Sequence, residues 1–518
     1  MRTNTELLIG LDIGTSGCKA SVVDLTGSII ESSTHVYQTD YPRPGLAEQN
    51  PEDWYYSACM AVRSCIATGK FPPRDIVGIG ITGPAHNVAL MDDTGKVLRP
   101  TIHWSDLRSA SQCEYLDSKM SEEIFKITYQ RVNPSWTLPQ LMWLKEKETD
   151  IWKKLQHILV TKDYVRYRLN GKYHTDLYDA IGTQMFNVAE SKWSQYLCDF
   201  LEFNIDWLPQ VLPATEISGR LTHCGAEDTG LSEGTPIVIG SGDSVVEAFG
   251  IGITEIGQCL IKLGSAANVD LVTKAPLPSL ETMTYHHIVD DRWFSIAATN
   301  SGSSTLRWFR NTFCQLQVLK AKEQNLDPYE LIGNLAENVT PGCEGLLFHP
   351  YLMGERTPYW NPYLRGDFVG ITAHHKLHHF TRAILEGVAF SIRDCYQEIT
   401  SLGQTVTERR LIGGGSKSLL WSQILCDVLG EPLLKPVIND AAYGAALLAG
   451  IGVGLFENYQ DATKQCVKIT EELSPNFEFH NLYNKYFSIY KEIVHQLADQ
   501  DYKLIELDRI SKKLSNER

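Results

Sequence analysis

The chain has no apolar run long enough to cross a membrane and no excess of positive charge. Its apolar stretches all fall short of the roughly 20 residues that a spanning helix needs. The 47 Lys and Arg residues are outnumbered by 62 Asp and Glu residues, which gives a net charge of −15. Such a charge repels nucleic acid and anionic membranes. We therefore expect neither of them as a partner.

Cysteine pairs and an export signal are also missing. The 12 cysteines are scattered between Cys18 and Cys466 without a Cys-x-x-Cys pair, which is typical of thiols kept in a reducing compartment. The N-terminal residues have neither the apolar length nor the cleavage site of a secretory signal. We therefore expect a cytoplasmic protein without disulfides or structural zinc.

Familiar nucleotide and metal motifs are absent or out of context. No Gly-x4-Gly-Lys-Ser/Thr string occurs, which argues against a P-loop fold. The glycines Gly78, Gly80 and Gly83 fit the dinucleotide pattern, but they lie inside an apolar segment that predicts a strand. Residues 374–379 hold four histidines, but the helical pattern that follows favours a solvated helix start without a metal.

A strand-turn-strand unit occurs twice along the chain. Residues 7–36 predict three strands, followed by a helix from Pro51 and a strand in DIVGIGITG. The pattern returns in weaker form in GQCLIKLGSAANVDLVT, beyond the apolar segment TPIVIGSGD. A length of 518 residues predicts two domains, and the repeat indicates a duplicated architecture. We place the boundary so that the domains comprise residues 1–247 and 248–518.

Three turns combine glycine with hydroxyl-bearing or small residues. They are residues 14–17, 264–266 and 413–416, and each follows an apolar strand. Such turns allow main-chain N–H groups to approach a phosphate. Taken singly, each is equally typical of a plain hairpin.

Two aspartates stand at the ends of predicted strands. Asp12 comes directly before the first turn, where a carboxylate could hold Mg²⁺ against phosphate oxygens or simply fix the turn by hydrogen bonding. Asp243 ends TPIVIGSGD and precedes a helix of small residues. It could accept a substrate proton there, or cap the helix.

The order of five motifs gives a resemblance to a known family. The segments DIGTSGCK, HWSDLR, GSGDS, YLMGERTPYWNP and LIGGGSKS follow one another as in the FGGY carbohydrate kinases, from about residue 8 to residue 455. Within that family the chain looks like the xylulokinases. The resemblance implies an α/β, two-lobed, actin-like (ribonuclease H-like) ATPase fold with a duplicated βββαβα core. It also implies that the N-terminal lobe mainly binds sugar and the C-terminal lobe mainly binds ATP.

The resemblance assigns a role to each matching residue. Asp12 matches the magnesium ligand, and Asp243 matches the catalytic base. The ATP-binding positions are the phosphate-contacting hydroxyls Thr15 and Ser16, the second phosphate loop at Gly264 and Ser265, and the adenine-contacting turn at Gly414, Gly415 and Ser418.

Four further side chains are predicted to bind the sugar beside Asp243. His86 and Asn87 can hydrogen-bond to hydroxyl groups. Trp104 can offer an apolar face to sugar C–H groups, and Asp106 can accept from hydroxyls while Arg108 orients it. The alternative is a Trp in the core with Asp and Arg as a surface ion pair.

The sugar-binding turn departs from the subfamily pattern. Xylulokinases commonly have Gly-Gln-Met-His-Gly where this chain has residues 83–87, GPAHN, and they usually have Asn where this chain has Ser244. The expected acceptor is a small ketose, D-xylulose or a related pentulose. The alternatives are a polyol such as erythritol or glycerol, or gluconate. An alternative of another class is an actin- or chaperone-like ATPase switch without a sugar. A chain of this size is compatible with a homodimer.

Overall fold

The computed structural model describes residues 6–516. The strands, in chain order, are β1 Leu7–Ile13, β2 Gly17–Asp24, β3 Ile29–Val36, β4 Glu48–Gln49, β5 Ile76–Gly83, β6 Val88–Met91, β7 Thr101–Ile102, β8 His157–Val160, β9 His174–Thr175, β10 Phe186–Asn187, β11 Lys192–Trp193, β12 Gln210–Val211, β13 Ile217–Arg220, β14 Pro236–Val238, β15 Ser241–Gly242, β16 Gln258–Leu263, β17 Ala267–Thr273, β18 Met283–His286, β19 Trp293–Thr299, β20 Leu347–His349, β21 Asp367–Val369, β22 Glu408–Ile412, β23 Leu433–Pro436 and β24 Ile469–Leu473. The helices are α1 Pro51–Ala67, α2 Ala110–Thr128, α3 Thr137–Lys147, α4 Thr149–Trp152, α5 Thr161–Asn170, α6 Leu177–Gly182, α7 Gln195–Leu201, α8 His223–Thr229, α9 Asp243–Gly250, α10 Ser303–Phe313, α11 Gln315–Gln324, α12 Pro328–Ala336, α13 Leu377–Ser401, α14 Leu419–Leu429, α15 Ala441–Gly452, α16 Tyr459–Cys466 and α17 Phe477–Asn516.

By its internal contacts the chain forms two compact units. The first holds the chain up to Thr254 together with Lys274–Phe294 and Ile438–Lys468. The second holds Glu255–Thr273, Ser295–Val437 and the chain from Ile469 onward. Two late segments of the chain therefore belong to the first unit.

The first unit is built on a mixed sheet with the strand order β13-β14-β5-β1-β2-β3. The strands β1, β2 and β3 form an antiparallel meander, whereas β1 and β14 each pair with β5 in parallel. Apolar side chains of β1, β2 and β5 pack against α1 in one core. A second core joins α2, α3 and α7 to β6 and β8.

The second unit repeats this strand order. Its sheet runs β19-β17-β16-β22-β23-β24, with β16 antiparallel to β17 and parallel to β22. As in the first unit, the next pairing is parallel, β22 with β23, and the last is antiparallel, β23 with β24. The duplication predicted from the sequence is therefore confirmed at the level of strand pairing. The long helix α13 is buried along most of its length and forms the centre of this core.

The helix α15 lies closer to the first sheet than side chains would normally permit. A Cβ atom on Gly10 of β1 would come within 1.8 Å of the carbonyl oxygen of Ala442, and a Cβ on Gly80 of β5 within 1.8 Å of that of Ala445. Only glycine fits at such distances. Gly78, Gly80 and Gly83 all lie within β5, so the strand that their apolar context predicted is confirmed. Cβ atoms on Gly78 and Gly80 would meet α15, so these two glycines serve helix packing.

Most of the predicted elements are present with small shifts. The helix predicted from Pro51 is α1, with Asn50 as its N-cap. The segment TPIVIGSGD is not one strand. It divides into β14 and β15, because Gly240 adopts a φ of +74°. No helix between residues 6 and 516 is long and apolar enough to span a membrane.

The close approach of α15 gives a stability prediction. We expect Gly80→Ala to destabilise the first unit by about 3 kcal/mol, because the added methyl group must push α15 away from β5. Thermal unfolding measures this as a midpoint lowered by several degrees.

Gly333→Ala is the matched control, because a Cβ there meets no atom within 4 Å and the residue lies inside α12. This control should leave the midpoint equal or slightly higher. Equal midpoints for the two variants would contradict the packing argument.

Candidate active site

Three strand ends of the first unit meet at one edge of its sheet. β1 and β15 pair with β5 in parallel, on opposite sides, with Asp12 and Ser241 both opposite Thr82. Strands neighbouring in a sheet lie about 4.8 Å apart, so the Cα atoms of Asp12 and Ser241 are separated by about 10 Å. Asp243 follows β15 directly and is the first residue of α9. Topology therefore brings the two predicted carboxylates to the same edge.

Asp12 and the first turn form a tight hairpin. The turn closes through a hydrogen bond from the Gly14 N–H to the Gly17 carbonyl at 3.0 Å. A Cβ on Gly14 would lie 3.9 Å from Oδ2 of Asp12, so the carboxylate is next to the turn. Thr15 and Ser16 are exposed at its tip. Gln49 also holds the turn in place, because its Nε2 donates a hydrogen bond to the Thr15 carbonyl at 2.8 Å.

Asp243 is half-buried at the N-terminus of α9. Its Oδ1 accepts hydrogen bonds from the main-chain N–H of Ser244 at 2.7 Å and from the Ser244 hydroxyl at 3.3 Å. The side chain therefore stays with the first turn of its own helix. Helix N-termini favour negative charge, so this environment supports a carboxylate.

His86 lies within electrostatic range of Asp243. Burial lowers the pKa of His86, while the negative charge of Asp243 opposes the shift. Its Nδ1 donates to the Gly182 carbonyl at 2.9 Å. In the neutral ring Nε2 is then a hydrogen-bond acceptor, so His86 can accept from a hydroxyl group.

The other predicted sugar-site residues, Asn87, Trp104 and Asp106, lie in the 83–87 turn and in the 103–108 segment that is bonded to it. Asn87 is fully buried, and its Oδ1 accepts from the Trp104 N–H at 2.7 Å, which ties the 83–87 turn to the 103–108 segment. Trp104 has 41% of its surface exposed, so its ring can contact a ligand. Asp106 is buried and accepts hydrogen bonds from the Ala47 N–H and from three N–H groups of Arg108. Because a carboxylate offers about four acceptor sites, those of Asp106 are taken by the protein.

A row of aromatic rings beside His86 was not predicted. The ring of His86 meets that of Trp136 edge-on, with 4.4 Å between the ring centroids. The Trp136 ring stacks on Tyr285 with a centroid distance of 6.1 Å, and Tyr285 stacks on Tyr178 with a centroid distance of 4.4 Å. Burial, Asp179 and Asp243 together raise the pKa of Tyr285. The rings therefore form an apolar wall next to the Asp243 carboxylate. Tyr285 comes from Lys274–Phe294, a segment distant in sequence, so no local pattern could indicate it.

In the second unit the predicted phosphate loop is fixed to the start of α10. The carbonyl of Gly264 accepts from the Ser303 N–H at 2.7 Å, and that of Ser265 accepts from the Ser304 N–H at 3.1 Å. A Cβ on Gly302 would come within 2.5 Å of the Gly264 carbonyl oxygen, so the two segments touch. The Ser265 side chain remains exposed.

The glycine turn after β22 lies beside the end of β16. Gly413 has a φ of +98°, and a Cβ there would come within 2.6 Å of the Leu263 backbone. A Cβ on Gly414 would meet nothing within 4 Å, so this part of the turn is open. Ser418 caps α14 by accepting from the Trp421 N–H at 3.2 Å.

Gly414, Gly415 and Ser418 line a cavity of about 560 Å³. This volume suits a small organic ligand. Residues of α10, α12, α13 and α14 complete the walls. Its apolar and aromatic lining includes Leu306, Tyr329, Leu385 and Leu420, and its polar lining includes Arg307, Asp327, Glu330, Asn334, Glu337 and Lys417. All of these residues belong to the second unit.

Glu355 in the YLMGERTPYWNP stretch is a buried hydrogen-bond centre. Its Oε1 accepts from the N–H groups of Asn300 and Arg356, each at 2.7 Å, and its Oε2 accepts from the Thr299 hydroxyl at 2.6 Å. These bonds fix the chain between β19 and α10, directly before the helix that holds the Gly264 turn. Sequence reasoning used this stretch for the resemblance but gave it no role.

The histidine cluster at the start of α13 is hydrogen-bonded as a helix cap. Glu344, His374 and His379 have ligand atoms within 4.8 Å of one another. The Nδ1 of His379 accepts from the Lys376 N–H at 3.0 Å, so the neutral ring carries its proton on Nε2, facing Glu344 at 3.6 Å. A metal on Nε2 would move that proton onto an atom already accepting a hydrogen bond. This geometry favours a cap over a metal centre.

The structure therefore groups the predicted residues by unit. The first unit holds the predicted residues Asp12, Thr15, Ser16, His86, Asn87, Trp104, Asp106 and Asp243. The second unit holds Gly264, Ser265, Gly414, Gly415 and Ser418. Asp12 and Asp243 share a sheet edge, with His86 near Asp243, whereas Asp106 is engaged by Arg108.

Family models match almost the whole chain. The N-terminal domain of the FGGY family of carbohydrate kinases matches residues 7–250, and its C-terminal domain matches residues 259–453. A xylulose kinase of Staphylococcus epidermidis is 30% identical over 495 residues, which cover 95% of this chain and 97% of that protein. A gluconokinase of Bacillus subtilis is 28% identical and covers 98% of this chain and 99% of that protein.

A solved structure described as a xyloylose kinase from Brucella ovis has a TM-score of 0.86 at 29% identity, and it covers 96% of this chain and 100% of its own. The repeated strand order described above is thus the duplicated βββαβα core of the actin-like ATPase fold. Because the two family models together span most of the sequence, the chain belongs to the FGGY family of carbohydrate kinases and is an ATP-dependent carbohydrate kinase.

Proposed function

We propose that the acceptor is D-xylulose or a closely related pentulose and that Asp243 is the catalytic base. The single observation that carries this proposal is the surroundings of Asp243. A helix N-terminus, a neutral His86 acceptor and a wall of aromatic rings lie within reach of one carboxylate. Similarity over 95% of the chain to a protein named xylulose kinase supports the choice of a ketose.

Asp243 accepts the proton of the sugar hydroxyl that attacks ATP. The hydroxyl oxygen forms a new bond to the γ-phosphorus while the bond from that phosphorus to the β,γ-bridging oxygen breaks, so ADP leaves with the electron pair. A base positioned by the first turn of α9 needs no rearrangement to receive the proton. Positioning and charge stabilisation supply most of the rate gain in phosphoryl transfer.

His86 binds the sugar, and the aromatic wall behind it orients the His86 ring. The Nε2 of His86 accepts a hydrogen bond from a hydroxyl group, while the buried rings of Trp136 and Tyr285 hold the imidazole in place. Trp104 adds an exposed apolar surface. Asn87 and Asp106 are proposed as sugar-site residues that act mainly by holding the Trp104 segment in position, since Asp106 is engaged by Arg108.

Asp12 is proposed as the Mg²⁺ ligand. A carboxylate beside an exposed hydroxyl-bearing turn is the hard oxygen ligand that Mg²⁺ prefers, so the residues present fit the ion. When bound, Mg²⁺ offsets negative charge on the phosphates. Thr15 and Ser16 then contact phosphate oxygens through their hydroxyl groups.

We propose that the adenine of ATP occupies the 560 Å³ cavity of the second unit. Gly414 leaves room for the flat base, Gly415 and Ser418 form the adjoining wall, and Gly264 and Ser265 bind the phosphates. We propose residues 1–247 as mainly sugar-binding and 248–518 as mainly ATP-binding. Tyr285 belongs with the sugar site despite its later position in the chain.

A second candidate acceptor is gluconate. The GPAHN turn departs from the xylulokinase pattern, and a gluconokinase is similar to this chain over 98% of its length. A polyol such as erythritol or glycerol is the third candidate acceptor, since the altered GPAHN turn does not decide against it. A cytoplasmic location and a homodimer are proposed with the kinase, since ATP and sugar phosphates are intracellular metabolites.

A substrate panel tests the acceptor. ADP release should be measured with D-xylulose, L-xylulose, D-ribulose, erythritol, glycerol and gluconate at equal concentrations. We expect a pentulose to give a kcat/KM at least tenfold above the others, because each hydrogen bond that a mismatched hydroxyl fails to make costs about 1 kcal/mol or more. Preference for gluconate would favour the second candidate, and sugar-independent ATP hydrolysis would favour a switch ATPase.

Asp243→Asn tests the base. The substitution keeps the shape but removes proton acceptance, so kcat should fall by roughly 10²- to 10⁴-fold while ATP affinity is retained. Single-turnover transfer of γ-phosphate and fluorescence titration of ATP measure the two effects. Asp150→Asn, at an exposed aspartate of the same unit, is the control with unchanged kcat. Turnover retained by Asp243→Asn would remove the assignment.

Tyr285→Ala and Tyr285→Phe test the aromatic wall. The alanine variant should raise the sugar KM by roughly tenfold, because it removes the ring stacked between Trp136 and Tyr178. The phenylalanine variant keeps the ring and should stay within about threefold of the parent. Steady-state kinetics with sugar and ATP varied separately give both constants. A change confined to the ATP KM would contradict a role of the aromatic wall in sugar binding.

A further inference from the structure

Five charged side chains form a buried cluster behind the catalytic edge of the first unit. Lys162, Asp163 and Arg166 lie on α5, Asp176 caps α6, and Asp179 lies within α6. Lys162 Nζ is 2.6 Å from Asp163, 2.9 Å from Asp176 and 3.0 Å from Asp179. None of the five has more than 3% of its surface exposed. Removing so many charges from water is costly, so the cluster calls for a functional reason.

The cluster touches the short segment that leads into Asp243. Arg166 Nη1 donates to the Ile239 carbonyl at 2.6 Å. The Ser241 hydroxyl donates to Asp176 Oδ2 at 2.6 Å. A Cβ on Gly242 would come within 2.5 Å of the Tyr178 ring and 3.1 Å of Asp179 Oδ1, so α6 presses directly on the residue before Asp243.

The charges of the cluster nearly balance. It contains two cations and three carboxylates, so it has an excess of one negative charge when all are ionised. Burial, together with Asp176 and Asp163, raises the pKa of Asp179 well above its usual value, although Lys162 opposes the shift. Burial alone would lower the pKa of Lys162, but the three carboxylates raise it. A protonated Asp179 makes the cluster neutral, with Lys162 charged at its centre.

We infer that Lys162 is a positioning residue for phosphoryl transfer: through Asp176 and Asp179 it fixes α6 against Ser241 and Gly242 and thereby holds Asp243 in its reactive orientation. This inference rests on the proposed role of Asp243 as base. The Nζ of Lys162 is buried and lies within 3.0 Å of three carboxylates, so Lys162 acts through the Asp243 turn.

The inference explains why charged groups connect α5 and α6 to the segment before Asp243. The segment Ile239–Gly242 contains only a two-residue strand, β15, which offers few ladder hydrogen bonds. The Ile239 and Gly240 N–H groups donate to the Glu216 and Ala214 carbonyls, each at 2.9 Å, and the Thr82 hydroxyl donates to the Ser241 carbonyl at 2.8 Å. The cluster adds the bonds from Arg166 to the Ile239 carbonyl and from Ser241 to Asp176. Several charge-assisted bonds at one point resist displacement better than a single neutral bond. An error of about 1 Å in the position of a base can cost about 100-fold in rate.

Two substitutions test the inference at different strengths. Ser241→Ala removes the bond from the turn to Asp176 without changing any buried charge. Lys162→Met removes the central charge and keeps the side-chain length. We expect kcat to fall by about tenfold or more for Lys162→Met and by a smaller factor for Ser241→Ala, with the ATP KM unchanged within twofold.

The split between kcat and the KM values separates positioning from loss of folded protein. A displaced base slows transfer but leaves both substrates bound, so kcat per folded molecule should fall while the sugar KM and the ATP KM stay within about twofold. Ser218→Ala is the matched control, because it removes a buried hydroxyl bonded to Asn170 and His174 in the same unit but away from β15. It should leave kcat and both KM values unchanged.

Three outcomes are distinguishable. If Ser241→Ala stays folded with a reduced kcat per folded molecule and unchanged KM values, the inference is supported even when Lys162→Met fails to fold. If both variants lose activity only in proportion to their folded fraction, or Ser241→Ala keeps the parental kcat, the inference is overturned. If Asp243→Asn itself keeps turnover, the proposed base is wrong, a result that is independent of the two cluster variants.

Discussion

Parallel pairing of β1 and β15 with β5 is the constraint on which the candidate site depends. A parallel sheet brings the carboxyl ends of its strands to one edge, and in this chain Asp12, the His86 turn and Asp243 follow three such ends. Main-chain hydrogen bonds fix the register, so the separation of the two carboxylates is set by backbone geometry. Side chains such as His86 and Tyr285 then supply hydrogen-bonding and apolar groups at positions that the backbone has already fixed.

A cluster of buried charged groups lies where the sheet has the fewest main-chain hydrogen bonds. β1 and β5 are held by long ladders, but β15 has two residues, and the ionic cluster around Lys162 lies behind it. The second unit has a comparable arrangement at Glu355, which fixes the chain before α10 through several hydrogen bonds. In both units a buried carboxylate supports a loop that carries candidate ligand contacts. Apolar packing would fill the same space, but it would not fix the direction of a short backbone segment.

The fold could largely be predicted from local patterns, because glycine turns and apolar periodicity are recorded in contiguous residues. The β1–β2 hairpin, α1 from Pro51 and the repeated unit at β16–β17 all follow from such signals. The break in TPIVIGSGD at Gly240 could not be predicted, since a positive φ at a glycine depends on what packs against it. Motifs nominated Asp12 and Asp243, and the structure places both at one edge of the first sheet. The aromatic wall joins Trp136, Tyr178 and Tyr285 from segments far apart in the chain. The Lys162 cluster comes from residues 162–179, but no local pattern indicates that it bonds to Ser241. Asp106 shows that a polar residue in a motif can be fully used by its neighbours.

The segment that covers the first sheet has a consequence for biosynthesis. α15, which packs on Gly10 and Gly80, is made only after some 440 residues of the chain have left the ribosome. Until then one face of β1 and β5 lacks its cover, although these strands are among the first to be synthesised. Folding of the first unit therefore cannot finish co-translationally in simple N-to-C order, and the nascent chain presents a bare apolar sheet face to which chaperones can bind.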